Sequence, residues 1–272
     1  MKNTSGSVSF FYGTVFGRIL LKAFMCLRLD KVAVRFLHSS LSKPMAKRYV
    51  KKNGIDVSEE ELKSFRSFRE MFIRTREQKA PDMTPEHMIS PCDGWLSVFS
   101  IDEDSRFAIK GSSYKLSDFL KDEELARLYH GGTCLIFRLC ASDYHHYCYI
   151  DNGRQGENHF IPGKLHSVQP IACEKYPVYV LNRRSWCLLE TDNFGPVVQC
   201  EIGALIVGGI VNEKENAAFK KGEEKGRFEL AGSTIVLLLE KGRVELTESI
   251  RKKLTEAEEA RVLLGEWVAT AI

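Results

Sequence analysis

The stretch Lys221-Gly-Glu-Glu-Lys-Gly-Arg-Phe-Glu-Leu-Ala-Gly-Ser-Thr-Ile-Val-Leu-Leu-Leu-Glu240 places a Gly-Ser-Thr step directly before an apolar run. The run predicts a strand over residues 233–239. Gly232 has no side chain, so its carbonyl can be approached closely, and Ser233 carries a hydroxyl on the other side of the same peptide bond. This arrangement allows the hydroxyl to attack the carbonyl, although an isolated Gly-Ser-Thr more often marks a turn that enters a strand.

Short β-type runs dominate the chain from residue 88 onward. Candidate strands are 95–101, 106–109, 133–139, 147–150, 178–181, 197–200, 204–211, 233–239 and 243–246. The composition of residues 117–129 predicts one short helix, and leucine at helical spacing predicts a closing helix over residues 245–267. Many strands with few helices between them favour an antiparallel or mixed β core over a parallel βαβ sheet.

Residues 1–80 read mainly as helix. Phe65, Phe68 and Phe72 recur at helical spacing, which predicts packing rather than chemistry. The Pro-bearing segment Lys79-Ala-Pro-Asp-Met-Thr-Pro85 is the expected boundary. The sequence therefore predicts an α+β protein, with a helical membrane-associating region at 1–80 and a β-rich catalytic domain at 81–272.

The N-terminal segment combines apolar residues with positive charges. Arg18, Lys22 and Arg28 interrupt the apolar residues between positions 8 and 29, so no uncharged stretch reaches the roughly 20 residues that a bilayer span needs. Arg18 and Lys22 share one helix face. This pattern is typical of a helix that lies on anionic lipid, although a helix packed on the protein's own core has it too. We expect a peripheral position on the cytoplasmic face of the cell membrane.

Composition excludes several classes of function. The formal net charge of +3 over 272 residues is too small to predict nucleic-acid binding. The eight cysteines contain no Cys-x-x-Cys pair, so neither a zinc ribbon nor a redox motif is indicated. A reducing compartment is the simplest setting for so many unpaired thiols.

Short motifs with a shared order run through the chain beyond about residue 64. They are Ser67-Phe-Arg-Glu-Met-Phe-Ile-Arg-Thr-Arg76, Ser90-Pro-Cys-Asp-Gly94, Ile109-Lys-Gly-Ser-Ser-Tyr114, Asp143-Tyr-His145, Pro162-Gly-Lys-Leu-His-Ser-Val168, Phe194-Gly-Pro196, Val207-Gly-Gly-Ile210, Lys225-Gly-Arg-Phe228 and Gly232-Ser-Thr234. Each motif is weak alone. In this order they are highly specific, and the chain resembles the phosphatidylserine decarboxylase family.

The resemblance implies an activity and a covalent cofactor. Proenzymes of this family cut themselves at a Gly-Ser bond and convert the serine to a pyruvoyl group, which implies cleavage between Gly232 and Ser233 and a pyruvoyl cofactor made from Ser233. The implied reaction converts phosphatidylserine to phosphatidylethanolamine and CO2 at a membrane surface. The implied partners are the lipid substrate, an anionic membrane surface and the two cleavage chains as a heterodimer, with a higher oligomer left open.

The resemblance also implies catalytic residues, one of which is replaced here. Asp93 matches an aspartate that orients the base for self-cleavage. His145 matches a histidine linked to decarboxylation, but the second histidine of the family's Asp-Tyr-His-x-x-His pattern is Cys148 in this chain. A thiol with an ordinary pKa of about 8.5 is mostly protonated at neutral pH and is a poor base.

Three histidines are therefore candidates for the base that activates Ser233. They are His145, His146 and His166, and alternation along a strand would turn His145 and His146 to opposite faces. His166 lies where many relatives carry an apolar residue, which suits a relocated base working with Asp93. His145 is the expected group that protonates the substrate carbanion.

The replaced histidine also leaves a second function open, a non-catalytic lipid-binding relative that does not cleave itself. Retention of the Gly-Ser-Thr motif, Asp93 and His145 favours the enzyme. No Gly-x-Ser-x-Gly motif surrounds Ser233, so a serine hydrolase is disfavoured. No metal site is predicted, because His145, His146 and Cys148 lie closer together than zinc ligands usually do.

Overall fold

The computed structural model describes residues 6–27, 29–109, 112–164, 166–173, 176–204, 209–230 and 233–272. Gly232 of the expected cleavage site and the first two residues of the Val-Gly-Gly-Ile motif lie outside these ranges. The helices are α1 (Gly6–Gly13), α2 (Val15–Cys26), α3 (Leu29–His38), α4 (Lys43–Asn53), α5 (Glu59–Ser64), α6 (Phe68–Phe72), α7 (Leu116–Leu120), α8 (Glu123–Arg127), α9 (Pro170–Cys173), α10 (Val178–Leu181) and α11 (Glu248–Ala257). The strands are β1 (His87–Ile89), β2 (Gly94–Ser100), β3 (Arg106–Ile109), β4 (Ser112–Lys115), β5 (Thr133–Leu139), β6 (His146–Cys148), β7 (Gly153–Gln155), β8 (His159–Ile161), β9 (Arg184–Thr191), β10 (Gly195–Gly203), β11 (Ile210–Asn212), β12 (Ala218–Phe219), β13 (Glu224–Phe228), β14 (Ser233–Leu239), β15 (Val244–Leu246), β16 (Ala260–Val262) and β17 (Trp267–Ala271).

A nine-stranded sheet forms the centre of the β-rich region. Its order is β12-β7-β9-β10-β14-β5-β2-β16, and β8 pairs with β9 beside this path. All its strand pairs are antiparallel. The seven residues of β14 are all buried, which fits an apolar strand covered on both faces.

The two faces of this sheet belong to two apolar clusters. Along β14, Ile235 and Leu237 lie in the first cluster, and Val236 and Leu238 lie in the second. Side chains alternate in this way along any strand. The first cluster also includes residues of α3, α4, α6, β6 and β13, whereas the second includes residues of α1, α7, α8, α9 and α10.

Two smaller sheets and a hairpin complete the strands of the described residues. The sheet β11-β13-β6 lies over the first cluster, and its register places Arg227 opposite His146. The sheet β1-β17-β15 joins the start of the β-rich region to the C-terminus. The pair β3-β4 forms a separate hairpin. The predicted α+β class with an antiparallel core is confirmed.

The N-terminal helices contribute to both clusters. Tyr12 of α1 and Leu21 of α2 are buried in the second cluster, whereas Leu37 of α3 and Val50 of α4 are buried in the first. Gly17 permits the tight turn between the first two helices, since a Cβ added there would lie 2.1 Å from a backbone oxygen of α1. Within the described residues, no helix has the length and apolar character needed to cross a membrane.

The structure corrects three local predictions. Residues 178–181 form the short helix α10 rather than a strand, and residues 117–129 contain two helices, α7 and α8, rather than one. The predicted closing helix is only α11. It ends at Ala257, the capping residue Glu258 has a φ of 62°, and the chain continues into β16 and β17.

Candidate active site

Four strand ends meet at one edge of the large sheet. In β14, Ser233 pairs with Leu139 at the end of β5 and with Gly203 at the end of β10. On the far side of β5, the register places Gly94 beside Leu139, and a Cβ added to Gly94 would lie 3.0 Å from a carbonyl of β5. Asp93 precedes Gly94, so the fold brings Asp93 and Ser233 to the same edge.

The Ser233 side chain faces the first cluster. Ser233 is two residues from Ile235, which is a member of that cluster, and strand alternation gives both side chains the same direction. Ser233 is fully buried, and its hydroxyl has no hydrogen-bond partner among the described residues. Buried hydroxyls are usually paired, so the Ser233 hydroxyl is available to react with a neighbouring group. Thr234 has the opposite direction, towards the second cluster.

His145 lies beside the first cluster with one ring nitrogen bare. The ring is fully buried and packs 4.3 Å from the ring of Phe72. Nδ1 lies 2.9 Å from the Asp143 carbonyl, which only accepts, so Nδ1 carries the proton. Nε2 then has a free lone pair and no partner in the described part of the chain. Burial lowers the pKa of His145 to about 4, so the neutral ring, which can accept a proton, prevails at neutral pH.

Asp93 fixes the backbone around His145 rather than its ring. A bidentate ion pair joins its carboxylate to Arg76, with N–O distances of 2.8 Å. The carboxylate also accepts hydrogen bonds from the N–H groups of Tyr144, at 3.4 Å, and Leu264, at 3.0 Å. No hydrogen bond joins Asp93 to His145 among the described residues, so it holds the segment in which His145 lies.

Strand alternation places His146 and Cys148 on the same face of β6. Nδ1 of His146 is 2.9 Å from Glu224 and Nε2 is 3.1 Å from the Ile73 carbonyl, so both ring nitrogens are occupied. The Cys148 thiol is fully buried, and burial raises its pKa to about 12. In the described residues, no group of three or more His, Cys, Asp and Glu side chains is arranged to hold a metal ion.

Cys148→Ser is expected to leave self-cleavage at the parental rate. A thiol with a raised pKa stays protonated at neutral pH and cannot act as a base. Its nearest polar contact is weak, with Sγ 3.8 Å from the carbonyl of Ser90, and a serine hydroxyl can make the same contact. The fraction of cut chain over time, read from a denaturing gel, measures the effect. An uncut Cys148→Ser protein would assign the base to the thiol.

His166 lies with the second cluster. Its ring stacks on Tyr176 with centroids 4.6 Å apart, and Nδ1 is 3.4 Å from the hydroxyl of Tyr12. Burial lowers the pKa of His166 to about 4 as well. The Ser233 hydroxyl faces the first cluster, so the geometry groups Ser233 with His145 and leaves the His166 ring on the other face.

No functional role was predicted from the sequence for Arg76, Phe72 or Tyr12. Arg76 ends a motif quoted from the sequence, but nothing in that motif distinguishes it from Arg69 and Arg74 as the partner of Asp93. Phe72 was expected to pack, and it does, although its partners include His145. Tyr12 contacts a residue 154 positions away, and a contact over that distance in sequence cannot be predicted from local patterns.

Comparison with known proteins gives one family. Residues 65–270 match the family model described as phosphatidylserine decarboxylase. The chain is 41% identical over 265 residues to phosphatidylserine decarboxylase proenzyme 2 of Clostridium acetobutylicum, which covers 96% of this chain and 91% of that protein. It is 38% identical over 269 residues to the phosphatidylserine decarboxylase proenzyme of Ruminiclostridium cellulolyticum, with coverages of 96% and 90%. The proenzyme of the same name from Clostridium botulinum strain Eklund 17B is 38% identical over 223 residues, with coverages of 80% and 75%.

Proposed function

Because the chain belongs to the phosphatidylserine decarboxylase family, we propose that it is a proenzyme that cuts itself between Gly232 and Ser233 and then converts phosphatidylserine to phosphatidylethanolamine and CO2. One observation carries the proposal for the site. The Ser233 hydroxyl and the Nε2 atom of His145 are buried and lack partners in the described residues. Strand alternation turns Ser233 towards the first cluster, and His145 packs on Phe72 of that cluster. A nucleophile and a neutral base are the two groups that self-cleavage requires.

In the proposed cleavage, Nε2 of His145 takes the proton of Ser233 Oγ while Oγ attacks the carbonyl carbon of Gly232. The peptide C–N bond breaks as Nε2 passes this proton to the Ser233 nitrogen, and Gly232 is then held as an ester on Oγ while the Ser233 amine is free. Loss of the Ser233 α-proton expels the Gly232 carboxylate and leaves a dehydroalanine. Water converts this residue to a pyruvoyl group and releases ammonia.

The surroundings of Ser233 fit a pyruvoyl group. The residue is fully buried, one of its two cross-strand partners is Gly203, and its one polar side-chain atom has no partner among the described residues that modification would disrupt. A pyruvoyl group supplies the electron sink that stabilises the carbanion left when CO2 departs. His145 Nε2 is the atom that would hold the proton for that carbanion, since the negative charge of a bound substrate favours the protonated ring.

Asp93 has a supporting role in this proposal. Its carboxylate, neutralised by Arg76, binds the N–H group of Tyr144 and so fixes the residue next to His145. The carboxylate also binds the N–H group of Leu264, which lies beyond the cleavage site in sequence. Asp93 would therefore keep the two cleavage chains joined as a heterodimer at the catalytic edge, which is the end of the large sheet where Asp93 and Ser233 lie.

Intact mass spectrometry tests the proposal directly. Cleavage predicts a chain of residues 1–232 and a chain of 272 − 232 = 40 residues, the shorter one lighter by one ammonia than a fragment that begins with serine. Release of CO2 from phosphatidylserine should accompany it. A single, well-folded chain without activity would instead favour the non-catalytic lipid-binding relative.

We also propose that the N-terminal helices bind an anionic membrane surface, on the cytoplasmic face of the cell membrane, with the catalytic edge towards the lipid. α1 packs on the second cluster and α3 and α4 pack on the first, so the helices pass from one face of the sheet to the other. The hydroxyl of Tyr49 in α4 donates a 3.0 Å hydrogen bond to the Ala141 carbonyl, two residues beyond the end of β5. This contact puts α4 beside the sheet edge that holds Ser233.

The outer surface of these helices supports lipid contact. Together with the turns between the helices, it exposes large apolar side chains at Val15, Phe16, Ile19, Leu20, Leu27, Leu29, Val32, Phe36, Leu41 and Met45. Lys22, Lys31 and Arg35 are exposed on the same helices. Ten exposed large apolar side chains within residues 15–45 exceed the scattered single residues of an ordinary surface, and interspersed basic residues favour anionic headgroups.

The double variant Phe16→Ser, Ile19→Ser is expected to bind anionic vesicles more than about ten-fold less tightly, because burying one such side chain contributes about 1.5–3 kcal/mol. These residues are 63% and 60% exposed, so the fold should not suffer. Vesicle sedimentation measures binding, and added salt should partly release the parent protein.

The matched control is Met83→Ser, Leu128→Ser, two positions outside the helices that are 58% and 54% exposed. It should bind vesicles like the parent, and both double variants should still cut themselves. Equal binding by the two double variants would contradict the membrane surface proposed here. Deleting the whole segment is a poorer test, because it would remove Tyr12 and Leu21 from the second cluster.

A further inference from the structure

Tyr12 is a point where the N-terminal helices meet the catalytic region. Its side chain is fully buried and lies edge-on to the rings of His166 and Tyr176, at centroid distances of 6.2 and 6.0 Å. The N–H group of Ser167 donates a 2.8 Å hydrogen bond to the Tyr12 hydroxyl. That hydroxyl also lies 3.4 Å from Nδ1 of His166, and Arg18 binds the Tyr12 carbonyl. One side chain of α1 therefore holds two successive residues of a distant segment.

Asn182 binds the same segment from its other side. Oδ1 of the buried Asn182 accepts a 2.9 Å hydrogen bond from the His166 N–H group. Nδ2 donates to the carbonyls of His166, at 2.7 Å, and Gly203, at 2.8 Å. Gly163 is packed so closely that an added Cβ would lie 2.5 Å from the neighbouring backbone. The segment is thus fastened to the end of β10.

We propose that Tyr12 is a positioning residue for the chemistry at Ser233. The contacts of its hydroxyl fix the segment that Asn182 ties to Gly203, and Gly203 is the partner of Ser233 across the sheet. This role rests on the proposed function, since it concerns the self-cleavage of Ser233. It goes further because it makes the first helix, whose neighbours carry the exposed apolar surface, a structural part of the catalytic edge.

Loss of the Tyr12 hydroxyl would leave polar atoms buried without a partner. The Ser167 N–H group has no other hydrogen-bond acceptor in the described residues, and buried N–H groups are rarely left unpaired. The segment would have to move to satisfy it. Because Asn182 connects the segment to Gly203, that movement would reach the strand end beside Ser233.

Tyr12→Phe in the full-length chain is the test. Self-cleavage is expected to slow about ten-fold, the rate equivalent of one buried hydrogen bond. In the cut fraction, kcat should fall while KM for a short-chain phosphatidylserine stays unchanged. Sedimentation with anionic vesicles should equal that of the parent, because the exposed apolar surface is intact. Hydrogen exchange at the Ser167 amide should become faster.

Tyr129→Phe is the matched control. Tyr129 is a fully buried member of the same cluster, and its hydroxyl donates to the Pro196 carbonyl, at the far end of β10. The control should lose similar stability, read by thermal unfolding, and cut itself at the parental rate. Parental cleavage by Tyr12→Phe, or equal slowing in Tyr129→Phe, would overturn the role of Tyr12.

A second variant tests the same role if Tyr12→Phe does not fold. Asn182→Asp keeps the acceptor for the His166 N–H group and loses both donated hydrogen bonds, so it should also slow cleavage. If Tyr12→Phe does not fold and Asn182→Asp cuts like the parent, the positioning role is overturned. A parent chain that never cuts itself would overturn the proposed function together with this role. If the parent chain does cut itself, the results for the variants test the role of Tyr12 alone.

Discussion

Ser233→Ala is expected to give a single chain of 272 residues without decarboxylase activity. Alanine removes the only atom of residue 233 that can attack the Gly232 carbonyl, and without cleavage no pyruvoyl group forms. The hydroxyl has no hydrogen-bond partner among the described residues, so its removal leaves no other group unsatisfied there, and the fold should be retained. A denaturing gel, a CO2-release assay and a thermal unfolding curve measure the three quantities.

Ser105→Ala is a control for this experiment. Ser105 is also a buried serine, but it follows β2 at the opposite end from Gly94, where its hydroxyl binds the Ala126 carbonyl. The control should cut itself and retain activity. Two chains from Ser233→Ala would show that another bond is cut, and a folded, uncut but active Ser233→Ala protein would exclude a pyruvoyl group at this position.

The central strands could be predicted because their patterns are strong. Residues 233–239 and 133–139 match β14 and β5, which pair in register over their full length. The prediction of a strand at residues 178–181 was wrong because it relied on the β-branched residues of the run and ignored how short the run is. The four residues between Pro177 and Asn182 form a single helical turn. Val178 and Tyr179 of this turn pack in the second cluster.

The C-terminal prediction was wrong for a different reason. Nothing in the sequence between α11 and β16 resembles a turn, since no glycine or proline separates them. Glu258 takes a left-handed conformation, and β16 then pairs with β2. A pairing with residues more than 150 positions earlier overrides the local helical pattern, and such a pairing cannot be predicted from the spacing of nearby residues.

At the site, the family resemblance implied which motifs meet but left the base open. Strand alternation correctly separates His145 from His146, and the structure adds which side each occupies. The direction of the Ser233 side chain depends on which face of β14 packs against the first cluster and which packs against the second. That is a property of the whole sheet, so the sequence alone leaves three histidines as candidates.

His145→Ala is expected to leave the proenzyme uncut over a time course of hours, and therefore inactive. Assistance by a general base contributes about 10²–10⁴-fold to a rate, and His145 Nε2 is the bare ring nitrogen that lies on the side of the Ser233 hydroxyl. Burial lowers its pKa to about 4. Parental cleavage should therefore stay level from neutral pH to roughly pH 5 and fall as the ring gains a proton below about pH 4.

His146→Ala and His166→Ala separate this assignment from its rivals. His146 is the adjacent buried histidine, but both of its nitrogens are occupied, so His146→Ala should cut like the parent. His166→Ala removes the ring between Tyr12 and Tyr176 and should slow cleavage far less than His145→Ala, because it disturbs positioning only. If His166→Ala stays uncut while His145→Ala cuts and fails to decarboxylate, then His166 is the base, and His145 acts only after the pyruvoyl group has formed. If both remain uncut although folded, the two faces of the sheet act together at Ser233, and the separation of roles proposed here is incorrect.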